Sequence, residues 1–335
     1  MTKAAKLIAG YMNNHTRKGS IIINKAETAS LESFMQDDSE TSIDDAAFDT
    51  QRWQRYIEQE IGFILPTVQR KWLVNAVSQT ALSYGLTSIQ LWHQLPHNDE
   101  LRQQLLDKVL IHESRFFRHL PSIAFVTDYA LQYQRHQLIE AGANEIFRIW
   151  SVGCASGQET WSLAMSLASK QLSNYAILGT DVSQQALKTA HLGQYDKRQQ
   201  SLIPLDCQQF VQPLQPVSTT KNSRFNTASI EKNKVNSGRA DWHITALLKS
   251  HVRFALHNIM DKKPPTPYLQ QVIVCQNMLL YFRKFDQRDI LARLSEQCAL
   301  GGYIILAPGE ALFWRPSNMR RIAHPQINAW QKISA

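Results

Sequence analysis

Metal and disulfide chemistry have little to work with in this 335-residue sequence. Its four cysteines, Cys154, Cys207, Cys275 and Cys298, stand far apart with no C-x-x-C pair. That spacing signals neither a zinc site nor a disulfide framework. Cys154, Cys275 and Cys298 sit in apolar runs and read as small core residues. No run approaches the ~20 apolar residues of a bilayer-spanning helix. The apolar stretch in MTKAAKLIAGYMNN is too short for a signal peptide, so a cytoplasmic protein is expected. A phosphate-binding G-x-x-x-x-G-K is absent, as are internal repeats. HESRF is not H-E-x-x-H, so His112 is not read as a zinc ligand and no metal is expected.

What is present suits a globular fold, with 44% apolar and 19% charged residues. The net charge of +8 is unevenly spread. Residues 1–25 hold five basic residues and no acidic one; residues 27–49 hold eight acidic residues and no Lys or Arg. Without the first 50 residues the remainder carries +11, which points to an acidic partner or to a solvated basic surface.

Residues 1–50 show no sustained periodicity and read as a flexible or loosely docked extension. Residues 51–140 read as a small all-helical N-terminal domain. Trp53, Tyr56, Ile57 and Ile61 recur at helical spacing, as do Trp72, Leu73, Val77 and Leu82, then Leu101, Leu105, Leu106 and Val109. Gly85 followed by Thr87 and Ser88 marks one helix end and the next N-cap. Residues 141–335 read as an α/β domain. IFRIWSV, YAILGTDV, HVRFALHN, QVIVCQN and GYIILAP are buried-strand candidates, with helices between them that imply a mostly parallel sheet. Asp286 is the expected N-cap of the helix before the last of these strands. A polar insertion around 210–249 reads as a surface loop without a clear hairpin.

The turn WSVGCASGQE follows the first strand and opens a helix. Gly153 and Gly157 allow a ligand close to the backbone at the strand's C-terminal end. Asp181 ends the second strand, where a carboxylate can accept both hydroxyls of an adenosine ribose; the bland alternative is capping of the helix that begins at Ser183. Glu159 would repel a dinucleotide pyrophosphate but could pair with an ammonium, which favours S-adenosyl-L-methionine over a nicotinamide cofactor.

Four blocks in order resemble the CheR family of chemoreceptor glutamate O-methyltransferases: HESRFFRH, RIWSVGCASGQETWSLAM, ILGTDVSQQALKTAHLGQY and VCQNMLLYF. The resemblance spans about residues 55–320. It implies a helical N-terminal domain followed by a Rossmann-like S-adenosylmethionine-dependent methyltransferase domain. It places Ser114 and Arg118 near the cofactor's methionine end and Glu159 on the ammonium, with His112 and Gly153 also among the cofactor-binding residues. Asp181 would hold the ribose, Asn258 and Ile259 would line the adenine, and Gln276 and Asn277 would sit beside the cofactor. Arg118 and Tyr281 would face the methyl group and the incoming glutamate as the catalytic pair. His112, Ser114, His119 and Gln276 depart from the family pattern, as do Thr160 and Trp161. The HESRFFRH and CQN variants look like the type IV pilus, or PilK-like, branch.

A glutamate carboxylate is already ionised at neutral pH, so its methylation needs alignment and water exclusion rather than a general base. The implied partner is a methyl-accepting chemoreceptor whose cytoplasmic helices bear the glutamates, with recruitment of the enzyme to membrane receptor arrays. Arg70, Lys71, Arg52 and Arg55 form a candidate basic docking face or a merely soluble one. Two other readings remain: a non-catalytic cofactor-binding regulator of the array, and a nucleic-acid methyltransferase. Against the second, no D/N-P-P-Y segment is present to grip a flipped base.

Overall fold

A computed structural model describes residues 49–66, 69–111, 113–140, 145–214 and 240–334. The N-terminal extension, His112 and the polar centre of the insertion lie outside the described residues.

The first helices are short and amphipathic. Helix α1 (Thr50–Ile61) is capped by the Asp49 side chain and ends at Gly62 in the left-handed region. It buries Trp53, Ile57 and Ile61. Helices α2 (Arg70–Ser83), α3 (Ser88–Gln94) and α4 (Asp99–Val109) complete this core with Leu73, Val77, Leu91, Leu101 and Leu105. Thr87 and Gln90 form a reciprocal capping box at the start of α3. Leu82 does not share that core, being 72% exposed; Ala76 and Ala81 fill the face of α2 instead. The Trp72 indole is half-buried and donates to the Val109 carbonyl at 3.0 Å.

The rest is an α/β architecture around a seven-stranded sheet in the order β6-β2-β1-β7-β8-β10-β9. Strands β1 (Phe147–Val152), β2 (Tyr175–Asp181), β6 (Val252–Leu256), β7 (Gln270–Cys275) and β8 (Cys298–Leu306) pair in parallel. β10 (Asn328–Lys332) pairs antiparallel with both β8 and β9 (Met319–Arg321). These last two strands were not among the sequence-derived ones.

Strand alternation assigns the two faces. Phe147, Ile149, Val272, Val274 and Ile305 pack with α5 (Leu120–Glu140) and α6 (Gln158–Ser169). Trp150, Val152, Ile273, Cys275, Ile304 and Leu306 pack with Ile290, Leu291 and Leu294 of α10 (Lys284–Gln297). All four cysteines are buried and free. Helix α5 ends at residue 140, the expected limit of the helical domain, yet Ile123, Val126 and Ala130 lie in the core of the sheet. Helix α7 (Gln184–Leu192) follows β2, with Ser183 as its N-cap.

Two local expectations are corrected. Arg283, not Asp286, occupies the N-cap position of α10; Asp286 lies in its first turn, where its charge still suits the helix dipole. The helix begins earlier because Gln287 N–H already donates to the Arg283 carbonyl at 2.8 Å. The insertion does contain paired strands: β4 (Val211–Pro213) and β5 (Trp242–Ile244) are antiparallel, and β3 (Gln194–Tyr195) joins β5's other edge. Strands of two or three residues leave too little alternation to read. Short helices α8 (Lys197–Gln200) and α9 (Ala246–Lys249) flank this sheet.

Trp242 anchors the small sheet. Its buried ring meets those of Tyr195 and Phe116 at 5.2 and 5.4 Å, and its indole N–H donates to the Asp196 carbonyl at 2.8 Å. Trp242→Ala is expected to destabilise the protein by about 3–5 kcal/mol, measured as a lower urea midpoint. Leu205→Ala, at a residue 87% exposed, should shift stability by no more than ~0.5 kcal/mol.

Candidate functional site

In a doubly wound sheet, ligands bind beyond the carboxyl ends of the strands where the order reverses. Here that point lies between β1 and β7, with β2 beside it. A cleft opens there, bordered by Val152, Gly153, Thr180, Asp181, Gln276 and Asn277.

The β1 loop owes its path to two glycines. Gly153 has φ 65°, and a Cβ on it would lie 2.9 Å from the Met278 sulfur. Gly157 has φ 90°, and a Cβ there would lie 2.8 Å from Cβ of Ala190 in α7. Between them Ala155 also takes positive φ, and its N–H donates to Asp181 Oδ2 at 2.8 Å. The other carboxylate oxygen accepts from Ser183 N–H at 2.9 Å. Asp181 therefore holds the β1 and β2 exits in register. Capping of α7 falls to the Ser183 hydroxyl, which accepts from Ala186 N–H at 3.0 Å.

The opposite wall comes from the N-terminal helices and the segment after them, including Ile61, Phe63, Leu110, Ser114 and Arg118. Several contacts pin this wall to the sheet. Asn258 Nδ2 donates to the Glu60 carbonyl at 2.8 Å, while its Oδ1 accepts from Met260 N–H at 3.0 Å. Gln103 donates to the Val182 carbonyl at 2.9 Å, and the Ser183 hydroxyl to Asp107 at 2.7 Å. Arg283 pairs with Glu58.

Ser114, Arg118, Gly153, Glu159, Asp181, Asn258, Ile259, Gln276, Asn277 and Tyr281 all border this one cleft. His112 lies outside the described residues. Their engagements differ. The Asn258 amide is committed to backbone, and the Ile259 carbonyl accepts from Arg293 at 2.8 Å. Gln276 Nε2 donates to the Ser122 hydroxyl at 3.0 Å and to the Leu306 carbonyl at 3.2 Å. The same hydroxyl lies 2.8 Å from His119 Nδ1, which also accepts from Ser122 N–H at 3.3 Å. With the imidazole proton on Nε2, Nδ1 can accept from both groups of Ser122. Burial pushes the His119 pKa down, which keeps this chain of hydrogen bonds neutral.

Glu159 enters from the first turn of α6 and accepts from the Ser151 hydroxyl at 2.8 Å. Burial pushes its pKa up to about 7, opposed by that hydrogen bond and by Arg118, and assisted by Glu310. Burial likewise pushes up the Tyr281 phenol.

Glu310 was missed by sequence reasoning. It follows β8, and its Oε2 accepts from Ala307 N–H at 3.0 Å and Asn277 N–H at 3.2 Å, holding Asn277 at φ 57°. Burial raises its pKa, against those backbone hydrogen bonds. An acid just beyond a strand's end was its signal, the same signal that marked Asp181. Phe63 and Met278 carried none, because neither residue type nor spacing marks a cleft wall. Among the described residues, no group of three His, Cys, Asp or Glu side chains could hold a metal ion. No described helix is long and apolar enough to cross a membrane.

Comparison with known proteins gives this geometry a context. Residues 112–327 match the model of the CheR methyltransferase SAM-binding domain. Chemotaxis protein methyltransferase 1 of Pseudomonas aeruginosa is 24% identical over 283 residues, covering 82% of this chain and 94% of that protein. Chemotaxis protein methyltransferase Cher2 of Pseudomonas putida is 23% identical, again with 82% and 94% covered. A chemotaxis protein methyltransferase of Listeria monocytogenes is 24% identical over 81% of this chain and 92% of its own length.

The raised Glu159 pKa makes a prediction about stability. Its folded-state value of about 7 lies above the ordinary 4.5, so the folded protein holds a proton that the unfolded chain releases. Stability from this group is full below pH ~4.5 and is lost as pH rises towards ~7. Glu159→Gln should remove a decline on the order of 3 kcal/mol across that window, read from urea midpoints at successive pH values. Glu310 contributes with the same sign and remains in the variant.

Proposed function

Because the chain belongs to the family of CheR methyltransferases, we propose that it methylates glutamate side chains on a chemoreceptor of a chemotaxis or type IV pilus chemosensory system. The observation that carries this reading is the meeting of Arg118 and Tyr281 in the cleft that also holds Gly153, Glu159 and Asp181.

The cleft's own charges fit a cationic cofactor. Asp181 and Glu159 border it beside Arg118, and Glu310 lies close enough to Glu159 to raise its pKa. S-adenosylmethionine carries a sulfonium and an ammonium, and when bound supplies an electrophilic methyl group. Glu159 would take the ammonium and Asp181 the ribose hydroxyls. Asn258 and Ile259 would border the adenine, with Gln276 and Asn277 beside the cofactor and Ser114 at its methionine end.

Arg118 reaches the cleft from the turn before α5, with one guanidinium nitrogen 3.4 Å from the Glu113 carbonyl. Its fork can bind one face of a substrate carboxylate and leave an oxygen directed at the methyl group. The Tyr281 phenol stays protonated and can donate a hydrogen bond to the same carboxylate. No proton leaves the nucleophile. Alignment and exclusion of water supply the acceleration. Arg52, Arg55, Arg70 and Lys71 are exposed on the helical part and suit an acidic receptor helix. Arg52 also covers the Trp92 ring at 3.8 Å, so it serves packing as well.

The test is incubation of the full chain with receptor membranes and methyl-labelled S-adenosylmethionine. Base-labile methyl ester on receptor glutamates is the expected product. Label in added DNA or RNA, or binding without transfer, would overturn the reading. Membranes bearing pilus-system receptors alongside flagellar ones decide the branch. Arg118→Ala should lower kcat/KM roughly 10–100-fold, the usual effect of losing a charge-assisted contact.

Cofactor affinity should also depend on pH. Only ionised Glu159 pairs with an ammonium, so affinity should weaken about tenfold per unit below pH ~7 and level off above it. Glu159→Gln should bind weakly with a flat profile between pH 5 and pH 7 on calorimetric titration.

A further inference from the structure

Phe63 leaves α1 far from the β7 exit in sequence, yet it borders the same cleft as Tyr281. The two rings stack with centroids 5.0 Å apart and planes 17° from parallel. Phe282 meets Phe63 edge-on at 5.3 Å and 90°. The backbones follow the rings, for Ile64 N–H donates to the Tyr281 carbonyl at 2.8 Å. This approach depends on Gly62 at φ 75°, where a Cβ would lie 2.9 Å from both the Met260 sulfur and the Phe282 ring. Asn258 holds the preceding turn through the Glu60 carbonyl.

A tyrosine's ring torsion is broad unless packing confines it. Rotation of an unconfined ring changes which plane its π-face and phenol present. A flat partner on one face restricts that motion in a way a merely space-filling side chain does not.

We propose that Phe63 is a positioning residue for methyl transfer: by stacking on Tyr281 it sets the plane in which the phenol meets the incoming carboxylate. The N-terminal helical part thereby shares in the reaction without touching the transferred group. The proposal rests on the role given to Tyr281 above. It distinguishes a ring from an equivalent filling of space, and the variants follow from that distinction.

Phe63→Ala should lower kcat by roughly tenfold or more, in line with the sensitivity of transfer to alignment. The cofactor's KM and the dissociation constant of S-adenosylhomocysteine should stay within about threefold. Phe63→Tyr should restore most of kcat, whereas Phe63→Leu should not. A readout independent of turnover is 19F NMR of the full chain carrying 3-fluorotyrosine at position 281. One sharp resonance is expected with Phe or Tyr at position 63, and a shifted or broadened one with Leu or Ala. Equal kcat and equal fluorine spectra for Phe63→Leu and Phe63→Tyr would overturn the proposal and leave space-filling alone. If the native chain transfers no methyl to glutamate while the fluorine spectra still separate ring from aliphatic variants, the assigned reaction fails, and only the confinement of Tyr281 by the Phe63 ring stands.

Discussion

The carboxylate of Asp181 joins two strand exits, and the cleft depends on that join. One oxygen holds Ala155 in the β1 loop and the other holds Ser183 at the head of α7. The loop can then pass through Gly153 and Gly157 in left-handed geometry while staying against the sheet. Positive φ at Ala155 costs conformational energy, and the hydrogen bond to Asp181 offsets it locally. The same carboxylate faces the cleft, so a group that builds the loop also borders the ligand space.

The site is completed from outside the sheet. Helices α1 and α4 reach it through Glu60, Gln103 and Asp107, each of which contacts a strand exit or the residues just past it. Tyr281 lies at this seam, between the β7 exit and the Phe63 ring. Side chains from both parts of the chain thus share one wall. Motion of the helical part relative to the sheet would open the cleft and disturb the aromatic stack together.

Buried charge organises the cleft and the layer behind it. Glu159 comes from the first turn of α6 and Glu310 from the turn after β8, each raised in pKa by burial, with Arg118 as the cation that lowers Glu159. Behind Glu159, His119, Ser122 and Gln276 form a neutral hydrogen-bonded chain rather than a further charged pair. A cationic ligand in such surroundings meets carboxylates already stripped of much of their water, which strengthens the attraction.

Local signals in the sequence were enough for the α/β grammar: the five parallel strands, the glycine turn, and the acids at 159 and 181. Each is written within ten or so residues, as apolar alternation, a residue without Cβ, or a carboxylate at a strand end. Contacts between distant segments were not legible. The three-stranded sheet needs β3 to find β5 across the insertion, and strands that short leave no periodicity. Leu82 kept helical spacing yet faces solvent, because its neighbours decide which side of α2 is covered. Glu310, Phe63 and Met278 become site residues only when β8, α1 and the β7 exit converge. The sequence by itself determined the five parallel strands, the helices between them and the residue types at the cleft's floor, because hydrogen bonding and burial periodicity are local. Only the tertiary structure decided which side chains face one another across the cleft, since packing joins residues by shape and distance rather than by position in the chain.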